Sequence, residues 1–289
     1  MDRKFSSLPP DLTPNLPGLS ILRFSALLGE GDGELDQDAR DAMTSQVAGG
    51  ALESVAPSDI WPELVRGLMA RVPSRMILAL RACGALAAVL PEVAALFGVP
   101  QIADDPPLVD LGDHLLRALN EAARREAPLS VRLALLVMNV GKADSPPEHL
   151  PVHYRHIDRG GPRIEAICER FNAPRDCREL ALQALAECER VHRTSEARAG
   201  PVALMLERLG AFDAPDSFAL LMEVCACDYC AYGERAGAAY PKAKLLEAAF
   251  KACAGVEAPT GGAEAAEAAR TARAAAIAKA FRSERWSGE

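Results

Sequence analysis

The chain has 289 residues, nearly half of them apolar, a quarter charged and 5% aromatic. That profile excludes a disordered or fibrous chain and fits a helical protein with material for two or three cores. A formal net charge of −8 excludes nucleic-acid binding driven by overall charge, so any RNA contact must use a local basic patch.

Residues 1–17 are rich in proline, serine and leucine and are expected to form an irregular arm without the apolar stretch of a secretory signal. The run SILRFSALLGE predicts an apolar helix, and an acidic, glycine-rich loop follows it. The next helix is expected to start near Asp36 or Asp38 and to stop at Gly49-Gly50. Asp36-Gln37-Asp38 is an Asp-x-Asp in spelling, but its place before a helix predicts capping rather than metal binding. Ser58 to Glu63 is expected to hold an N-cap and an early proline. The stretch from Arg75 to Pro100 is almost wholly apolar and predicts two buried helices joined near Pro91. Pro91 and Glu92 interrupt it as a membrane span, and no membrane partner is expected. Residues 101–110, polar and proline-bearing, are a candidate module boundary. Helical segments and loops alternate from 111 to 226, and an alanine-rich helix closes the chain. No alternating strand pattern is visible.

Cysteines stand at 83, 168, 177, 188, 225, 227, 230 and 253. Without a secretory signal they are expected to be reduced, in the cytoplasm. Cys225, Cys227 and Cys230 spell CxCxxC, which could supply three zinc thiolates. The run lies in an apolar helical stretch with no fourth ligand, and buried filler is the preferred reading. Cys188 and His192 lie four apart on one predicted helix, but no third orienting group is visible. Trp61 and Trp286 are expected to anchor helices.

The segment from Leu80 to Pro100 carries Arg81, Cys83, Gly84, Leu86, Pro91, Glu92, Leu96, Phe97, Gly98, Val99 and Pro100. In this order and spacing it resembles the neck of bacterial CCA-adding tRNA nucleotidyltransferases. Ile21 to Phe24, Ile60-Trp61 with Glu63, Asp228 with Tyr240-Pro241, and the closing Ala-Arg helix are similar to further motifs of that family. So is Gly141-Lys142 followed by Pro146-Pro147-Glu148, Pro151, His153 and His156, which resembles the family's HD-type body.

The resemblance implies an all-α, elongated multi-helix array. Its expected parts are an N-terminal arm (1–17), a neck-like domain (18–104), a degenerate HD-like body (105–226) and a helical tail (227–289). The family's catalytic head, with its Gly-Gly loop, Asp-x-Asp metal pair and Arg-Arg-Asp-Phe motif, has no counterpart in these residues. Leu16 to Ser20 stand where the family reads the incoming nucleotide.

HD hydrolases hold a divalent cation with a first histidine, a His-Asp pair and further histidines or aspartates. His114 matches the first, and His153 and His156 match later ones. Met138 and Asn139 replace the pair, next to Lys142. A thioether and an amide cannot neutralise a hard cation. The expectation is therefore a buried hydrogen-bonded cluster of His114, Asn139 and His156, with a divalent metal at His114/His153/His156 as the alternative.

By resemblance, the basic residues Arg155, Arg159, Arg163, Arg270, Arg273, Lys279, Arg282 and Arg285 are candidates for holding the backbone of a tRNA acceptor arm. The leading expectation is an RNA-docking scaffold that performs no nucleotidyl transfer on its own, with a separately encoded head as a possible partner. The alternatives are a metal-dependent phosphohydrolase with an altered HD pocket and a non-catalytic interaction or relic module.

Overall fold

The computed structural model describes residues 17–104, 106–193, 198–256 and 262–286, the last five by their backbone alone. The fold is all-α, as expected: fourteen α-helices, two short 3-10 turns and one two-stranded hairpin make up its regular structure among the described residues. None of these helices is long and apolar enough to cross a membrane. The chain forms two compact units, one of residues up to Leu185 with Cys227–Ala238, the other of Ala186–Ala226 with Ala239–Glu289.

The first unit is built on α1 (Pro17–Glu30), α2 (Gln37–Ala48), α3 (Pro57–Leu68) and α4 (Pro73–Ala82). Helix α1 packs against both α3 and α4. It buries Ile21, Leu22, Phe24, Ala26 and Leu28, so it is apolar around most of its circumference, as a core helix must be. Burying each large side chain contributes about 1.5–3 kcal/mol. Helix α2 begins as expected, with Asp36 accepting from the amide of Ala39 at 2.8 Å. Its carboxylate is thus occupied by a cap. Helix α3 starts earlier than expected, with Ala56 at the N-cap and Pro57 in the first position. Pro62 falls inside the helix.

The segments that carry the family resemblance hold one another. Arg23 on α1 donates to Glu63 on α3 at 2.8 Å. The Arg81 guanidinium lies 4.3 Å from the centre of the Phe97 ring.

The apolar stretch 75–100 forms three helices, not two: α4, α5 (Ala85–Val89) and α6 (Pro91–Ala94). The extra break falls at Gly84, whose φ of 82° suits a residue without a Cβ. The expectation of no strands is also corrected. β1 (Pro100–Ile102) pairs antiparallel with β2 (Leu108–Asp110), with Gln101 opposite Val109 and Ile102 opposite Leu108. Three-residue strands are too short to show a period of two.

Helix α7 (Leu111–Arg124) follows directly, capped by Asp110, and α8 (Leu129–Val137) packs on it. The helices after residue 104 share a core with those before it, α4 against α7 and α3 against α8. Helix α9 (His156–Phe171) reaches α3, where Phe171 and Trp61 stack with ring centres 6.1 Å apart. The anchoring expected of Trp61 is present; the side chain of Trp286 lies outside the described residues.

The second unit draws on α10 (Arg175–His192) and α12 (Pro215–Cys230), which contribute to both units, and on α11 (Ala199–Arg208), α13 (Pro241–Ala252) and α14 (Gly262–Trp286). Its core includes Val202, Leu206, Leu246 and Ile277. Phe212 and Phe218 each lie 5.8 Å from Phe250. The alanine-rich α14 docks on α11 and α13, burying only Ala269 and Ile277 among its described side chains. Helical propensity and small-residue packing thus support it together.

Candidate functional site

Six residues were expected to form one pocket, and the structure distributes them. His114 sits on α7, 2% exposed, and its Nε2–H donates to Asp228 Oδ1 at 2.8 Å. The Tyr232 ring covers it, centre to centre 4.1 Å. His114 Nδ1 is buried with no hydrogen-bond partner among the described residues. Met138 caps the end of α8 and is buried. Asn139 opens the 3-10 turn Val140–Lys142 without a side-chain cap. Its carbonyl accepts from the amide of Lys142 at 2.9 Å. Lys142 is buried and donates to Gln101 Oε1 at 3.0 Å, which draws β1 onto the Gly-Lys turn.

His153 is fixed at both nitrogens. Nε2 lies 3.0 Å from the Pro100 carbonyl and Nδ1 2.8 Å from Ser145 Oγ. A carbonyl only accepts, so Nε2 carries the proton and Nδ1 accepts from the serine hydroxyl. Ser145 Oγ in turn accepts from Arg159 at 3.1 Å. His156 Nδ1 donates to the His153 carbonyl at 2.8 Å.

The expected cluster of His114, Asn139 and His156 is therefore corrected. His114 pairs with Asp228 from α12, and His156 serves the loop. The sequence reading missed Asp228 because 114 positions separate the pair. Its one signal was that Asp228 belonged to a family motif. The donor set does not suit the metal alternative. His114, His153 and His156 form no ligand group among the described residues, and neither nitrogen of His153 is open. Cys225, Cys227 and Cys230 are buried free thiols that form no such group either.

In the second unit, Cys188 Sγ lies 3.3 Å from His192 Nε2, and the Tyr240 hydroxyl 2.6 Å from His192 Nδ1. The third group thought missing from the Cys-His pair is Tyr240.

The candidate RNA-binding cations differ in what already engages them. Arg155 is exposed and pairs with Asp158 at 2.9 Å. Arg159 donates to the Gly141 carbonyl at 3.1 Å as well as to Ser145. Arg163 pairs with Asp144. Arg270 and Arg273 converge on Glu207 at 2.8 and 2.9 Å, and Arg273 also lies over Phe212. Lys279 is exposed. The side chains of Arg282 and Arg285 lie outside the described residues.

No family model matches the chain. Comparison with curated proteins is more informative. The chain is 40% identical over 240 residues to the multifunctional CCA protein of Cupriavidus necator, across 83% of this chain and 58% of that protein. It is 41% identical over 241 residues to that of Halorhodospira halophila, with the same two shares. With that of Verminephrobacter eiseniae it shares 39% over 248 residues, 86% of this chain and 60% of that protein. This chain is a relative of the multifunctional CCA proteins. It spans about three fifths of the length of these curated relatives. Relatedness to the multifunctional CCA proteins thus rests on most of this chain and on part of each of them.

Proposed function

We propose that this chain is the RNA-docking part of a tRNA nucleotidyltransferase-like protein of the cytoplasm, and that its own residues perform no nucleotidyl transfer. The observation that carries this reading is the roughly 40% identity to multifunctional CCA proteins over 83% of the chain. The chemistry of the side chains supports the second half. The Asp36 carboxylate caps a helix, and the HD-like positions offer a thioether, an amide and imidazoles of which His114 Nε2 and both nitrogens of His153 are engaged by neighbouring groups. Divalent-cation chemistry on phosphates needs anionic ligands around a shared point, so the HD-like body is read as degenerate. A nucleotidyltransferase head, wherever it is carried, is the partner that supplies those ligands.

The tRNA acceptor arm is the proposed cargo, held through its phosphates. Arg155 and Lys279 are the exposed contacts of the first choice. Arg159, Arg163, Arg270 and Arg273 would have to exchange a protein partner for phosphate, and Arg282 and Arg285 complete the set.

The test is anisotropy of a labelled tRNA transcript across a salt series, beside an assay for CMP and AMP addition to a transcript lacking its 3′ nucleotides. The expected result is binding that weakens steeply with salt, by a log–log slope of about −0.9 per phosphate contacted, and no addition by this chain alone. Addition by the isolated chain, or the absence of salt-dependent binding, overturns the reading. A metal-dependent phosphodiesterase activity lost in His114→Ala would replace it with a hydrolase.

A further inference from the structure

Tyr154 is the most exposed of the large apolar side chains in the described residues, at 60%. A ring this open is ordinarily free to turn, yet its loop is held on every side. The preceding His153 is buried and fixed by Ser145 and Pro100. The amide of Val152 donates to the His149 carbonyl at 2.8 Å, and the His149 amide to Pro146 at 2.9 Å. The His149 ring stands edge-on to Tyr154, at 89° and 5.5 Å between centres. Next along the chain, Arg155 adopts a left-handed backbone with φ of 55° and is 81% exposed in its side chain. Its pairing with Asp158 is an exposed surface ion pair, of a kind that holds weakly, and yields readily to a phosphate.

We infer that Tyr154, with His149 at its edge and Arg155 beside it, is a stacking platform for one unpaired base of RNA, with Arg155 taking the adjoining phosphate. The inference rests on the RNA-docking reading above and deepens it by naming the part of the RNA that is held. A pre-positioned aromatic face beside a guanidinium is what single-stranded nucleic acid binds, because every base has a π-face and stacking needs no groove. The exposed acids nearby, Glu148 and Asp158, disfavour the dense phosphates of a duplex. They leave a single splayed nucleotide as the fitting occupant. The ring is flanked by apolar Val152 and Ile157, 38% and 40% exposed, as well as by polar His149, Glu148, Arg155 and Asp158, and a protein partner anchored on that apolar area is the outcome that equal rescue by leucine would reveal.

The experiment uses the full chain and two fluorescein-labelled RNAs, a tRNA transcript with its unpaired 3′ end and a blunt hairpin of the same duplex closed by a non-nucleotide linker. Tyr154→Ala is expected to weaken binding of the transcript by about tenfold, with its salt slope unchanged and binding of the hairpin unaffected. Tyr154→Trp is expected to restore affinity and Tyr154→Leu to fail, since the contact is a ring face and not bulk apolar area. Arg155→Ala should lower the salt slope by about one. Wild-type affinity in Tyr154→Ala, or rescue by leucine equal to that by tryptophan, overturns the platform while leaving RNA docking intact. Failure of the unmodified chain to bind either RNA overturns both. The site is exposed, so none of these substitutions puts folding at risk.

Discussion

Glu121 is buried in α7 and accepts from Arg124 at 2.6 Å and from Arg125 at 2.8 Å. It also accepts from the amide of Gly237 at 3.3 Å. The hydrogen bond from Arg124 leads the causes that hold its carboxyl at about 2, below the ordinary 4.5, and Arg125 adds to it against the opposing effect of burial. A depressed carboxyl stabilises the fold above its unfolded value and stops doing so as pH falls through its folded value. The contribution is therefore full above pH 4.5 and fades towards pH 2. Replacement by glutamine keeps an acceptor for Gly237 but leaves two guanidinium groups without their anion. Glu121→Gln is expected to lower the urea-unfolding free energy at pH 7 by about 2 kcal/mol. The gap to wild type should close as pH falls from 4.5 towards 2.

Helices approach closely at the Gly-Lys motif of the HD-like stretch. A Cβ on Gly141 would stand 2.1 Å from the His156 carbonyl oxygen and 2.6 Å from the Gly160 nitrogen. The glycine is there because the 3-10 turn meets the first turns of α9 backbone to backbone. Gly141→Ala is expected to cost about 3 kcal/mol, since the obstruction is main chain and cannot swing aside. Gly161→Ala on the same helix has nothing within 4 Å of the added methyl. It should be neutral or up to about 1 kcal/mol stabilising through helix propensity. Thermal melts of the two variants separate steric need from composition. Arg132 shows another structural use of a charged residue. It is buried in α8, and its guanidinium donates to the carbonyls of Ala127, Leu68 and Ala70 at 2.8, 2.8 and 3.1 Å. It joins the end of α3 to the loop before α8, and desolvation lowers its pKa below the ordinary arginine value.

At the scale of the molecule, what was legible in the sequence was what neighbours decide. Asp36 reads as a cap because the amide it serves is three residues on, and helix class follows from apolar spacing within single turns. The hairpin at 100–110 was unreadable, since its strands are too short for a pattern and its anchors, Lys142 and His153, lie some forty to fifty positions later. The same holds for Asp228 at His114 and Gly237 at Glu121, where the partner returns from far along the chain. The candidate site was legible as a list of residues and illegible as a set of bonds. A chain cut after Leu185 lacks both returning groups. It is expected to lose cooperative unfolding by near-ultraviolet circular dichroism even though most of the first unit's helices remain. A sharp transition at the wild-type midpoint would contradict that.

The discontinuity of the first unit has a bearing on biosynthesis. Residues up to Leu185 leave the ribosome before Cys227–Ala238 do, an interval of a few seconds at roughly 5–20 residues per second. Throughout that interval the nascent polypeptide carries His114 without its carboxylate and Glu121 without Gly237, and the early helices wait, unsealed, for the segment that closes them.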